Sequence, residues 1–83
     1  MSTLDRVHDR LGYRVRAVHA PPQAHHWAGW LEELGFLPGE HVAVMARARP
    51  GGDPLVVRIG LSTFALRQAE AACVEVEPVP VRP

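Results

Sequence analysis

The sequence predicts a mainly β fold: a small antiparallel barrel of about five strands, with one inserted α-helix and a short helical turn before the last strand. Three observations point there. Several short runs alternate apolar with polar or charged residues, the period of half-buried strands. Clusters of Pro, Gly and Asp interrupt these runs at close intervals. One stretch breaks the pattern: Trp27, Trp30, Leu31 and Leu34 fall at i, i+3, i+4 and i+7, one face of a helix. An open sheet of this size would leave edges unpaired, which partial closure reduces.

The elements follow in chain order. Residues 1–10 mix charges with Leu4 and Val7, so they form either a loose leader or a segment pinned by those two side chains. Tyr13 to His19 reads as the first strand, with Tyr13, Val15 and Ala17 on the inner face and Arg14 and Arg16 outside. Pro21-Pro22 ends it, and the linker to His26 carries no strong helix cap. The helix stops at Gly35, which supplies the left-handed residue that commonly ends a helix, with Phe36 as its apolar contact back onto the last turn. Pro38 cannot extend it, and Gly35, Pro38 and Gly39 together build the turn into the next strand. That strand, Val42 to Arg49, puts Val42, Val44, Ala46 and Ala48 on one face and Ala43, Met45, Arg47 and Arg49 on the other. Residues 50–54 turn it into a hairpin with Leu55 to Leu61, in which Gly60 marks a bulge or bend. Ser62 to Leu66 is a short strand. Arg67 to Cys73 is a helical turn, and Val74 to Glu77 is the last strand, valines in and glutamates out. The expected organisation is one domain over residues 1–77 and a Pro-rich extended tail over 78–83.

Composition narrows the function classes. The 83 residues hold nine arginines, no lysine and nine acidic residues, for a formal net charge of zero. Nucleic-acid binders ordinarily carry a basic excess, so no nucleic acid is expected as a partner. A polybasic membrane patch and an apolar run of membrane-spanning length are also absent, so no direct membrane insertion is expected. The single cysteine, Cys73, fits a reducing compartment, and the charged first ten residues do not read as a signal peptide. The expected location is cytoplasmic.

No catalytic constellation emerges. Glu32-Glu33 are adjacent on a solvated face, Ser62-Thr63 lack a neighbouring histidine, and Gly51-Gly52 lack the Lys-Ser/Thr of a phosphate-binding loop. Cys73, flanked by Ala72 and Val74, reads as a small buried hydrophobe. Arg67 is expected to pair with Glu70 or to cap carbonyls of the helical turn, with orientation of a partner as the other reading. Five histidines are many for this length. None shows zincin spacing, and solvated side chains are the plainer reading. No cofactor is required; a divalent transition metal, iron or zinc, at His25 or His26 with a Glu33 from a neighbouring molecule is the minority reading.

Three motifs resemble one family. Leu31-Glu32-Glu33-Leu34-Gly35-Phe36-Leu37-Pro38-Gly39 looks like the L-x-x-L-G-(hydrophobic)-x-P-G signature of FeoA, ferrous iron transport protein A. Asp53-Pro54-Leu55-Val56-Val57 is similar to that family's hairpin return. Phe64-Ala65-Leu66-Arg67-Gln68-Ala69-Glu70-Ala71 to Val76 is similar to its ending. The chain departs from the pattern where Gly60 is followed by Leu61-Ser62-Thr63, and in the length of its 20–26 loop. The resemblance implies an SH3-like barrel and no catalytic residues. It further implies a cytoplasmic accessory to FeoB, the GTP-dependent ferrous iron transporter of the bacterial inner membrane, at whose inner face the chain would dock and modulate transport. Modulation could reach the GTPase domain or organise the membrane assembly. Trp27, Trp30, Phe36 and Leu37 present more apolar surface than a small core is expected to hold, and are the expected docking residues. Two alternatives stand beside this reading: an interaction module like the C-terminal domain of iron-dependent repressors, and a small divalent-metal-binding protein. A weak or metal-linked homodimer is compatible with each.

Overall fold

A computed structural model describes residues 2–79. The first strand of the sheet is one the alternation did not mark: Ser2–Thr3 (β1) pairs antiparallel with the last strand, Ser2 opposite Val76. The others are Tyr13–Val18 (β2), His41–Arg47 (β3), Leu55–Ile59 (β4), Ser62–Leu66 (β5) and Val74–Pro78 (β6). The order across the sheet is β1-β6-β2-β3-β4-β5, every neighbour antiparallel. This is a small antiparallel sheet of six strands accompanied by two helices. The helical turn Gln68–Ala71 (α2) carries the chain from β5 at one edge back to β6 and packs on a 3₁₀ turn, Leu4–Arg6, which follows β1. β6 runs one residue beyond the expected boundary, to Pro78 opposite Tyr13, and residues 80–83 of the expected tail lie outside the described residues.

Of the two readings of residues 1–10, the pinned segment is the one observed: Leu4 and Val7 are both buried in the core. The segment is stitched down by main-chain and side-chain bonds. The Arg10 N–H donates to Val44 O at 2.7 Å, and the buried Tyr13 hydroxyl accepts the His8 N–H at 3.3 Å.

The helix is His26–Leu34 (α1), entered through a 3₁₀ turn at Pro22–Ala24 without a side-chain cap. Its end has the geometry that the Gly35-Phe36 pair predicts. Gly35, at φ +117°, donates its N–H to Glu32 O at 3.0 Å, and Phe36 donates to Leu31 O at 3.1 Å, the two bonds of a Schellman stop. Leu31 is fully buried and Trp27 and Leu34 pack partly against the core, so α1 lies on the barrel by that stripe.

Two bulges alter the expected faces. In β2 the register slips past Arg16, so that Val18, not Ala17, opposes the buried Val74. In β3 it slips past Met45: Val44 opposes Val57, but Ala46 opposes Val56 and Arg47 opposes the buried Leu55. Arg47 therefore takes the inner register and Ala46 is exposed, the reverse of strict alternation. The return strand ends at Ile59 instead of Leu61, because Gly60-Leu61 is a two-residue hairpin loop joining Ile59 to Ser62. Gly60 at φ +57° supplies the left-handed conformation that such a tight loop needs.

Candidate functional site

The four expected docking residues do not share one surface. Phe36 is 0 % exposed, which removes it from any docking face. The Schellman stop turns its ring into the barrel, where Val44, Val57 and Val76 are likewise fully or almost fully buried. The expectation failed because it underestimated how much this core absorbs. Trp27 is half-buried against the core. Trp30, 37 % exposed, and Leu37, 45 % exposed, remain available on α1 and on the turn that follows it. Two further leucines are open, Leu11 at 53 % and Leu61 at 95 %. Leu61 read as strand by its apolar character, and only the turn propensity of Gly60 hinted otherwise.

His25 and His26 are adjacent and exposed, with rings edge-on at 6.1 Å. Among the described residues, no three His, Cys, Asp or Glu side chains gather closely enough to hold a metal ion. Glu33 is exposed on α1 and does not complete a site with these histidines within one chain.

Charge is organised by two clusters that the linear sequence conceals. On the outer face of β2 and β6, Arg16 Nε lies 3.3 Å from Glu75, its Nη1 lies 3.6 Å from Glu77, and His19 Nε2 lies 2.8 Å from Glu75. The signal was present as opposite charges at period two in both strands, but the pairing joins positions 56 apart in sequence. The second cluster is a fork. Arg47 donates through Nη1 to Asp5 O and through Nη2 to Val7 O, each at 2.7 Å, and through Nε to the Asp9 carboxylate at 2.7 Å. Three groups of the leader thus converge on one guanidinium.

The helical turn α2 is held by its own neighbours. The Glu70 carboxylate accepts the Arg67 main-chain N–H at 2.8 Å, half of a capping box, so the Arg67 guanidinium is not what Glu70 binds. Asp53 accepts the Gln68 N–H at 3.1 Å, and the Gln68 amide donates to Gly51 O at 2.9 Å, tying the β3–β4 loop to α2. Cys73 is buried, and its Sγ–H reaches Ala69 O at 3.4 Å. Burial first, then Glu70 and Asp5, push its thiol upward. That is the opposite of nucleophile activation. The described residues thus leave some apolar side chains open and pair part of their charge. Among them, no helix is long and apolar enough to cross a membrane.

A family model described as the FeoA domain matches residues 3–78. Stenotrophomonas maltophilia FeoA complexed with zinc, described as a prokaryotic SH3 domain protein and a candidate ferrous iron transport activating factor, is 36 % identical. It superposes at a TM-score of 0.83 over 93 % of this chain and 91 % of its own. FeoA from Chlorobium tepidum is 25 % identical, with a TM-score of 0.79 over 95 % of this chain and 71 % of its own. The manganese regulator SloR shares the fold at 15 % identity and a TM-score of 0.72, with the match spanning 34 % of that protein. No curated protein matches the chain. The helix stop, the hairpin return and the α2-to-β6 ending lie in one SH3-like fold inside the matched span, and the chain belongs to the FeoA family.

Proposed function

We propose that this chain is a non-enzymatic accessory protein of ferrous iron uptake. It docks on the cytoplasmic part of a FeoB-type GTP-dependent transporter and modulates it at the inner face of the bacterial inner membrane. It acts as one domain over residues 1–77. Family membership supports the role, and the description of the S. maltophilia relative as a candidate transport activating factor agrees with it. The observation that carries the docking reading is the exposure of Trp30 and Leu37, a tryptophan and a leucine left open beside a core that buries Phe36 and Leu31 completely. Exposed aromatics of this kind dominate the binding energy of protein interfaces.

Calorimetric titration of the cytoplasmic part of the cognate FeoB with the full chain tests this. Binding is expected, and Trp30→Ala and Leu37→Ala are each expected to weaken it about tenfold or more while the circular dichroism stays native. Equal binding by both variants contradicts the assignment of these residues. Absence of binding by the parent chain contradicts the function.

A second reading concerns metal. The S. maltophilia relative is complexed with zinc, whereas the described residues of this chain gather no ligand set within one molecule. Zinc or ferrous iron would therefore be shared between copies, through His25 or His26 of one and Glu33 of another, as a surface-linked dimer. Gel filtration with and without zinc checks this. A zinc-dependent shift that His25→Ala together with His26→Ala abolishes is expected, and an unshifted elution volume contradicts it.

A further inference from the structure

A shallow trough crosses the outer face of β3. Its floor is His41, Val42 and Ala43, with Gly12 on the β2 side and Arg58 and Gly60 on the β4 side. The trough exists because three of its lining residues, Gly12, Ala43 and Gly60, are small and leave space between longer neighbours. Its volume is about 130 Å³, close to the ~150 Å³ of an engineered cavity that takes up benzene, so one aliphatic or aromatic side chain fits. Each wall continues into an exposed leucine next in the chain, Leu11 beside Gly12 and Leu61 beside Gly60. Glu40 and His41 join the trough to the turn that presents Leu37.

The trough's own lining carries Arg58 and His41 and no carboxylate, while Arg14 beside it has Glu77 opposite on β6. The register puts Arg14 opposite His41 and Arg58 opposite Ala43, all on the outer face. No carboxylate lines the trough, and Glu40, next to His41 in the chain, is not among the lining residues. Of the other described arginines, Arg16 holds Glu75 and Glu77, Arg6 faces Asp5 and Arg47 holds Asp9, while Arg10, Arg49 and Arg67 form no ion pair among the described residues. Among the described residues Arg14 and Arg58 form no ion pair, and the bond Arg58 makes, from Nε to Gly60 O, is a long 3.4 Å. A planar guanidinium is built to receive a carboxylate on two parallel N–H donors. Two arginines without an ion pair among the described residues thus stand beside an apolar trough, Arg58 in its lining and Arg14 across from His41.

We propose that this trough binds a short acidic-apolar segment of a protein partner. One apolar side chain of that segment seats over Ala43 between Leu11 and Leu61, and its flanking carboxylates meet Arg14 and Arg58. The proposal rests on the reading that the chain docks on a transporter, and it names the chemistry of the segment that docks. Two isolated arginines without lysine are too sparse for an anionic membrane, which polybasic clusters recognise, whereas a concave site flanked by guanidinium forks suits a peptide.

The test is an amide chemical-shift titration of the isotope-labelled full chain. The probes are the whole cytoplasmic part of the cognate FeoB and a set of short overlapping peptides covering it. Peptides with an apolar residue between carboxylates are expected to shift the amides of Gly12, His41, Ala43, Gly60 and Leu61. Arg58→Glu and Leu61→Asp, both at exposed positions, are each expected to weaken that binding about tenfold, and raised salt to weaken it further. Binding of the whole cytoplasmic part that shifts only Trp30 and Leu37 overturns this inference and leaves the transporter reading intact. No shift with any probe defeats both. The same amides moving with concentration of the chain alone, or with phosphatidylglycerol vesicles but no peptide, overturns the inference in favour of a second copy or a membrane.

Discussion

Two strands of this barrel carry the same irregularity and use it differently. The bulge in β2 leaves Arg16 on the outer face, its half-exposed guanidinium 3.3 Å from Glu75 and 3.6 Å from Glu77. The bulge in β3 turns Arg47 to the inner register, where its three donors meet two leader carbonyls and Asp9 at 2.7 Å each. The first arrangement decorates the sheet. The second fastens residues 4–10, and with them Leu4 and Val7, over the core. Exposed ion pairs contribute little, because solvent screens them and two long side chains lose freedom. A part-buried fork on main-chain carbonyls is worth more, since removing it leaves those acceptors without their donor. The lesson is that in this fold a bulge matters by the side chain it re-aims.

The largest losses are expected around the clamp on β3. Leu4→Ala empties a fully buried site beneath the clamped leader and is expected to cost about 2–5 kcal/mol in urea denaturation. Arg47→Met keeps the stem but removes the fork, and about 2 kcal/mol is expected to be lost, with faster amide exchange at Val7 and Arg10. Arg47→Lys, which offers no planar fork, recovers only part of that loss. Arg16→Ala is expected to change stability by less than about 1 kcal/mol. An Arg16 effect as large as that of Arg47 would erase the distinction.

A smaller effect reads the clamp chemically. Asp5 is one of the groups that hold the Cys73 thiol up, after burial and Glu70. A thiol whose pKa is raised in the fold keeps a proton that the unfolded chain releases above about pH 8.5. Stability therefore falls as pH rises beyond that point and is unaffected below it. Cys73→Ala flattens the alkaline slope. In Arg47→Met, where the leader loosens, Cys73 is expected to react faster with a thiol reagent at neutral pH than in the parent chain.

The contrast also marks what was legible in the chain. The stop at Gly35-Phe36, the hairpin return at Leu55 and the valine-glutamate alternation of β6 are local patterns, and each folds as its residues indicate. The bulges are not legible because alanine does not declare a face. Ala17 and Ala46 fit either side of a strand, so simple alternation runs past the slip in silence. The Arg47 fork depends on residues about 40 positions away, and no local signal encodes it. Among the site residues, helix spacing located Trp30 correctly on α1, but an argument from apolar excess could not distinguish Phe36, which the core takes, from Leu11 and Leu61, which it leaves out.

If this FeoA-family chain serves ferrous iron uptake by docking through its open apolar residues, uptake itself depends on them. Radiolabelled ferrous iron uptake is measured in cells whose own copy is replaced by Trp30→Ala plus Leu37→Ala, with variant abundance and fold checked in the same cells. Uptake is expected to fall to the level of a strain lacking the chain. Uptake equal to that of the parent, with the variant folded and present, would contradict it.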